Sequence, residues 1–379
     1  MRVYLDNAAT TPMASEVIEA MTSVMKNDFG NPSSSHFYGR QVKALLETSR
    51  RSIAKHLNCA SSEIIFTSGG TEADNMALVS SVNNLGVKRI ISSSIEHHAV
   101  GHSIESLEKS HSIQFERVKI DEKGHVDLIH LDELLAQNIP TLVSLMHANN
   151  EIATLLPLKK VSEICRKYGA FFHSDTVQTI GHYSFDLQEI DIDFITCAAH
   201  KFHGPKGIGF LYVNKKNKVE SLIHGGAQER GLRGGTENVS GIVGLAAAMD
   251  LAYKNILEHQ SHLQGLKSYM IDSLLSAFPT ITFHGETDPE KSLYTVLNVC
   301  FPKTDKGGML LFTLDLKGVA VSGGSACSSG ANKGSHVLEG IQADMSRPNA
   351  RFSFSRYTTK EEIDYALEQV KSVFEINLR

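Results

Sequence analysis

The sequence predicts an α/β protein with a mostly parallel sheet covered on both faces, followed by a smaller α+β domain. Short apolar runs alternate with helical stretches from about residue 60 to 255. Several of those runs are apolar throughout, as strands buried on both faces are. Beyond them, helices mix with short strands that stand farther apart. The large domain is expected over 14–256, and 1–13 with 257–379 are expected to form the small one.

Each element has its own reason. Ile64-Ile65-Phe66 reads as a strand, followed by a helix from Thr71, a good N-cap residue. Arg89-Ile90-Ile91-Ser92 and Leu142 to Met146 read as strands. Pro157 opens a helix through Tyr168, which Gly169 stops. Ala170 to Asp175, Asp193 to Cys197 and Ile208 to Val213 are three further apolar runs. A long helical stretch over about 237–262 leads out of this region. Val296 to Cys300 and Arg351-Phe352-Ser353-Phe354 read as strands of the second domain. The last helix, about 359–374, shows an apolar face of Ile363, Ala366, Leu367 and Val370.

Composition narrows the function. The chain has 379 residues, 41% hydrophobic and 21% charged, which is ordinary for a soluble globular protein. A net charge of −5 gives no broad attraction to nucleic acid or anionic membrane. No apolar run reaches membrane-spanning length, and the N-terminus lacks a signal-peptide pattern, so a cytoplasmic location is expected. The five cysteines, 59, 165, 197, 300 and 327, form no C-x-x-C pair, which argues against a disulfide framework or a zinc ribbon. No H-E-x-x-H or Cys/His ligand set appears, so no metal is expected.

The chemistry-bearing residues gather after strands. Lys201 leaves one strand, and Asp175 ends the one before it. That pairing suits pyridoxal phosphate (PLP), whose aldehyde takes a lysine and whose pyridine nitrogen takes an acid. Thr67-Ser68-Gly69-Gly70-Thr71-Glu72 joins a strand to a helix and could cup a phosphate, though a plain capped turn has the same composition. His97, in Glu96-His97-His98, could stack on a ring or move protons. Asn149-Asn150 could hold an oxygen, and Gln178 could reach a phenolate. Arg351 could clamp a carboxylate in bidentate fashion. Ser322-Gly323-Gly324-Ser325-Ala326-Cys327-Ser328-Ser329-Gly330 reads as a mobile surface loop, where a thiol is risky unless used.

Taken together, these residues resemble the class V aminotransferase group of fold-type I, and within it the NifS/IscS-type cysteine desulfurases. The resemblance runs from Tyr4-Leu5-Asp6-Asn7-Ala8-Ala9-Thr10-Thr11-Pro12 through Gly30-Asn31-Pro32-Ser33-Ser34 and the motifs above. It continues to Gly234-Gly235-Thr236-Glu237-Asn238 and Ser325-Ala326-Cys327. It implies that Lys201 is the Schiff-base lysine, that Asp175 meets the pyridinium nitrogen and that Gln178 lies near the ring hydroxyl. His97 would stack on the ring and act in catalysis. Gly70, Thr71 and His200 would bind the phosphate, with Thr236 reaching the partner subunit's phosphate in a homodimer. Asn150 and Arg351 would hold the carboxylate of L-cysteine. Cys327 would take the sulfur as a persulfide and pass it to an acceptor protein such as an iron–sulfur scaffold, leaving L-alanine.

Three features depart from the pattern. Ala198 stands where many relatives have a phosphate-binding serine, so one contact is expected to be missing. Ala153 replaces a common glycine. The chain ends at Arg379, close behind its last helix, which speaks against scaffold docking through a long tail. Another class V reaction, such as amino transfer or selenocysteine cleavage, is the alternative. An aminotransferase would have no use for Cys327, and a non-catalytic sulfur carrier would have none for Lys201, Asp175, His97 or Arg351.

Overall fold

The computed structural model describes residues 1–304, 307–323 and 334–374. Cys327 and the expectation of a mobile loop around it lie outside the described residues. In chain order the elements are β1 (Val3–Tyr4), α1 (Ser15–Asn27), α2 (Phe37–His56), β2 (Ile64–Thr67), α3 (Gly70–Asn84), β3 (Arg89–Ser92) and α4 (His98–His111). Then follow β4 (Gln114–Arg117), α5 (Leu128–Leu135), β5 (Thr141–Ser144), α6 (Leu158–Lys167), β6 (Phe171–Asp175), β7 (Phe194–Ala198) and β8 (Gly209–Val213). The rest are α7 (Val239–Lys254), α8 (Ile256–Ala277), β9 (Thr282–His284), β10 (Val296–Cys300), α9 (Leu310–Leu316), β11 (Val319–Ala320), α10 (His336–Gly340), β12 (Asn349–Ser353) and α11 (Lys360–Val373).

Seven strands form the main sheet in the order β2-β8-β7-β6-β5-β3-β4. Six of them run in the same direction. β8 is antiparallel to both of its neighbours, β2 and β7. Side chains alternate across the sheet, as the strand period requires. Ile91, Val143, Phe172 and Ile195 join one buried cluster with residues of α1, α2, α6 and α7. Ile90, Leu142 and Phe194 join another with residues of α3 and α4. Both faces are therefore covered, which explains the uninterrupted apolar runs.

A three-stranded antiparallel sheet, β12-β10-β9, and the parallel pair β1-β11 build the second unit. Its buried cluster draws on α8, α9 and α11, and it takes in Val3 and Leu5 from the chain's start. We propose the division into 14–256 and 1–13 with 257–379 on the strength of these separate clusters. The helix expected over 237–262 is in fact two. Asn255, at φ −128° and ψ 30°, breaks it between α7 and α8. The apolar pattern runs on through the break, so periodicity does not reveal it. Among the described residues no helix is long and apolar enough to cross a membrane.

The parallel strands β3, β5, β6 and β7 all end at one edge, where open α/β sheets bind ligands. β8 returns antiparallel, so its first residue, Gly209, reaches that same edge between Thr67 and Ala198. A Cβ on Gly209 would overlap the carbonyl oxygen of Cys197 and stand 3.0 Å from the Cα of Gly69. Gly209→Ala should therefore lower stability by about 1–3 kcal/mol, the usual cost of overpacking. Urea unfolding followed by circular dichroism measures this, and an unchanged midpoint would show that the backbone gives way freely.

Candidate active site

One cavity at this edge is lined by Ala8, Ala9, Gly70, Thr71, Asp74, His97, Asn150, Asp175, Gln178, His200, Lys201 and Arg351, with Met146, Val177 and Ala198. Nine of these were expected from the sequence. They come from separate strand ends, so the parallel sheet is what gathers them.

At one end lies the turn into α3. The helix starts at Gly70, with Gly69 at the N-cap in a conformation, φ 154°, that only glycine takes readily. Thr71, expected as the cap, is instead inside the first turn. A cap at 71 would require the chain to extend for two more residues, and the glycine pair turns it sooner. Glu72 reaches back to accept from Ser68 N at 2.8 Å. The first-turn N–H groups of a helix have no intrahelical partners and carry the positive end of its dipole.

Lys201 follows β7 in a single 3-10 turn, Ala199–Lys201. Its Nζ donates to the carbonyls of Ala8 at 2.5 Å and Ala9 at 3.0 Å. Two threonines of the same N-terminal segment bind this turn. Thr11 Oγ1 donates to His200 O at 2.9 Å, and Thr10 Oγ1 lies 3.1 Å from His200 Nδ1. Burial first, then the charges of Lys201 and Lys206, push His200 down to about 4, so it is neutral at pH 7. The sequence signal for residues 8–11 was present as a motif, but composition alone gives no sign that their backbone carbonyls face the lysine.

Asp175 closes β6 and is buried. Its Oδ1 accepts from Val177 N at 2.9 Å and lies 3.5 Å from the Thr196 hydroxyl. Gln178 donates through Nε2 to Ala8 O at 3.1 Å. His97 is the N-cap of α4, with Nδ1 accepting from Ala99 N at 3.1 Å. Burial lowers its pKa; Asp175 pulls it upward and Lys201 downward. Behind it, Glu96 accepts from Ser93 Oγ and Met146 N, and burial pushes it up to about 8.

Arg351, on β12, is 1% exposed. Its Nη1 donates to Asn150 O at 2.9 Å, and its Nη2 to Asp6 Oδ1 at 2.9 Å. Its Nε is buried with no hydrogen-bond partner among the described residues. Such an orphaned donor is costly unless a ligand completes it. Asn149, by contrast, turns away. It donates to Ile95 O and accepts from Glu151 N and Ile152 N, which fixes the local turn. Ala153 sits beyond that turn at φ 66°. That left-handed conformation is why a glycine is favourable there.

Thr236 is not part of this cavity. It is exposed on the loop before α7. That loop is held by Arg233 Nε bonding Glu72 at 2.9 Å, and by Glu229, which pairs with Arg50 at 2.6 and 2.8 Å. Asp74 is the ionisable lining residue that sequence reasoning missed. It lies on α3, fully buried, where a helical aspartate after a glutamate gives no motif signal.

The residues fit PLP. A Cβ on Gly70 would stand 2.7 Å from Val177 Cγ2, so the cup is open only because that atom is missing. Helix N–H groups suit a phosphate, a buried carboxylate suits a pyridinium nitrogen, and a lysine amine stands between them. Ala198 lines the cavity without a hydroxyl, as expected from the sequence.

The chain is similar to known proteins along nearly its whole length. The family description "Aminotransferase class-V" matches residues 3–366. The chain is 41% identical to the cysteine desulfurase IscS of Dictyoglomus turgidum, over 98% of this chain and 94% of that one. Among solved structures, a NifS-like protein superposes with a TM-score of 0.90 at 35% identity, covering 100% of both chains. SspA in complex with cysteine superposes with a TM-score of 0.80 at 29% identity, over 94% of this chain and 100% of that one.

Proposed function

The chain belongs to the class V aminotransferase family, and from that premise we propose which of its residues carry out its reaction. The protein is a PLP-dependent cysteine desulfurase, converting L-cysteine to L-alanine and a persulfide. The observation that carries the residue assignment is the convergence of Lys201, Asp175, His97 and Arg351 on one cavity. When bound, PLP supplies a ring that accepts the electron pair released at the substrate's α-carbon.

In this reading Gly70, Thr71 and His200 hold the phosphate, Asp175 the ring nitrogen and Gln178 the ring hydroxyl. Lys201 would anchor the aldehyde of the cofactor, and its amine would move the proton at the substrate Cα. The carbonyls of Ala8 and Ala9 aim that amine. Arg351 meets the substrate carboxylate through its orphaned Nε edge, with Asn150 beside it. His97 would stack on the ring; with its Nδ1 accepting from Ala99 N, the neutral imidazole carries its proton on Nε2 and acts there as a donor.

Cys327 supplies the thiolate. A bond forms between its sulfur and the substrate sulfur as the substrate's Cβ–Sγ bond breaks. Cβ takes up a proton, alanine leaves, and the second sulfur stays on Cys327 as a persulfide. That sulfur then passes to an acceptor protein, for which an iron–sulfur scaffold is our reading. Amino transfer would leave Cys327 without a role.

A homodimer completes the site in this reading. Its support is the exposed Thr236, on a loop pinned by Glu72 and Glu229, which no demand of its own cavity explains. Sedimentation at micromolar concentration should give twice the chain mass, and a fully active, cofactor-loaded monomer would refute it.

Cys327→Ser should keep PLP and still bind cysteine, yet give almost no alanine or persulfide. Alanine release at the parent rate, with persulfide on another cysteine, would overturn the assignment. Arg351→Ala should weaken apparent cysteine affinity by about ten- to a hundredfold, as expected for one charge-assisted contact. Steady-state kinetics with PLP occupancy checked by absorbance decides it, and unchanged affinity rejects the role.

A further inference from the structure

Beneath Asp175 lies a second carboxyl that the mechanism above does not use. Asp74 is 1% exposed, and it places a carboxylate oxygen within 4.8 Å of ligand-type atoms of both Asp175 and His97. Among the described residues, no Lys or Arg forms an ion pair with it. Its one charged-type partner is His173, whose Nε2 is 3.4 Å from Asp74 Oδ1. Both of those atoms are buried, and neither has a hydrogen-bond partner in good geometry. The far side of His173 is engaged, with Nδ1 2.8 Å from Ser144 Oγ.

The polar and charged groups around Asp74 come from β6, β7 and the start of α4. β6 supplies Asp175 and His173, β7 supplies the Thr196 hydroxyl, and the start of α4 supplies His97 with Glu96 behind it. None of these supplies a settled positive charge. Burial drives His173 down to about 3, so it is neutral. Two ionised carboxylates this close, both buried, repel strongly. Only one of them is placed to face the ring nitrogen.

We propose that Asp74 is held as a neutral acid that donates its O–H to Nε2 of His173, and that it is the positioning residue for Asp175. Asp74 bonds His173 Nε2, and His173 donates from Nδ1 to Ser144 Oγ, with no net charge in the chain. Asp175 is left as the single negative group on the cavity floor, its charge free to meet a pyridinium. Burial first, and then the charge of Asp175, push Asp74 well above the ordinary aspartate range, in agreement with this geometry.

The inference rests on Asp175 being the ring-nitrogen partner, and the test separates the two. Apoenzyme of the full chain is prepared for the parent, Asp74→Asn and Asp175→Asn, and two quantities are measured. The first is the PLP dissociation constant by fluorescence titration. The second is the apoenzyme unfolding midpoint between about pH 5 and pH 8. Asparagine imitates a protonated acid, since its N–H can donate to His173 as the O–H does.

The native parent keeps a proton that the unfolded chain releases above an aspartate pKa of about 3.9. Asp74 therefore adds to the parent a loss of stability with rising pH that Asp74→Asn lacks, while Glu96 and the buried histidines give both chains the same slopes. The midpoint of Asp74→Asn should gain on the parent as pH rises, while its PLP affinity stays within about threefold of the parent's. A pH-independent difference, or a larger loss of PLP affinity, overturns the proposal. Should Asp74→Asn not fold, Asp74→Ser repeats both readings. Unchanged PLP affinity in Asp175→Asn would instead refute the ring-nitrogen assignment, leaving the pH result to judge Asp74 alone.

Discussion

Residues 6 to 11 bind both halves of the site through hydrogen bonds that few other segments could make. Asp6 takes Arg351 Nη2 on one side and the Ser322 hydroxyl at 2.8 Å on the same oxygen. Two residues later, the carbonyls of Ala8 and Ala9 take Lys201 Nζ, and Ala8 O also takes Gln178. Thr11 then closes on the turn that bears the lysine, accepting from His203 N at 2.7 Å. The lysine comes from the large sheet and the arginine from the small one. Their separation is therefore set by a short strap lying against both, and the strap's other end is secured where β1 pairs with β11.

The electrostatics follow from exclusion of water. His147 and His173 are pushed down to about 3 by burial alone, and His200 to about 4. These imidazoles serve as neutral hydrogen-bonding groups. Charge is thus confined to a few positions, and each of those works at low dielectric, where a single contact counts for more than it would in water.

Much of this was legible in the sequence, and for a definite reason. Strand ends announce themselves as apolar runs closed by a polar residue, and a parallel sheet brings such ends together. Hence Asp175, His97 and Lys201 could be grouped before any coordinates. The turn into α3 was legible as a glycine pair, although the helix's exact start was not, because capping by Gly69 leaves no side-chain signal. Other features had no local signature. β8 reverses direction within an apolar run that looks like its neighbours. Asn255 interrupts a pattern that stays apolar on either side. Asp74 resembles any helical acid until the fold places Asp175 against it. The N-terminal segment works through carbonyl groups, which every residue has.

The described chain passes between the two buried clusters at two places, the strap near Leu5 to Ala8 and the joint at Asn255 between α7 and α8. Two bodies tied at two points keep a single covalently permitted rotation, about the line through the ties. One of those points lies beside Lys201. A turn about that axis would leave the strap end nearly stationary and sweep out the parts farthest from the line, as a door moves least at its jamb.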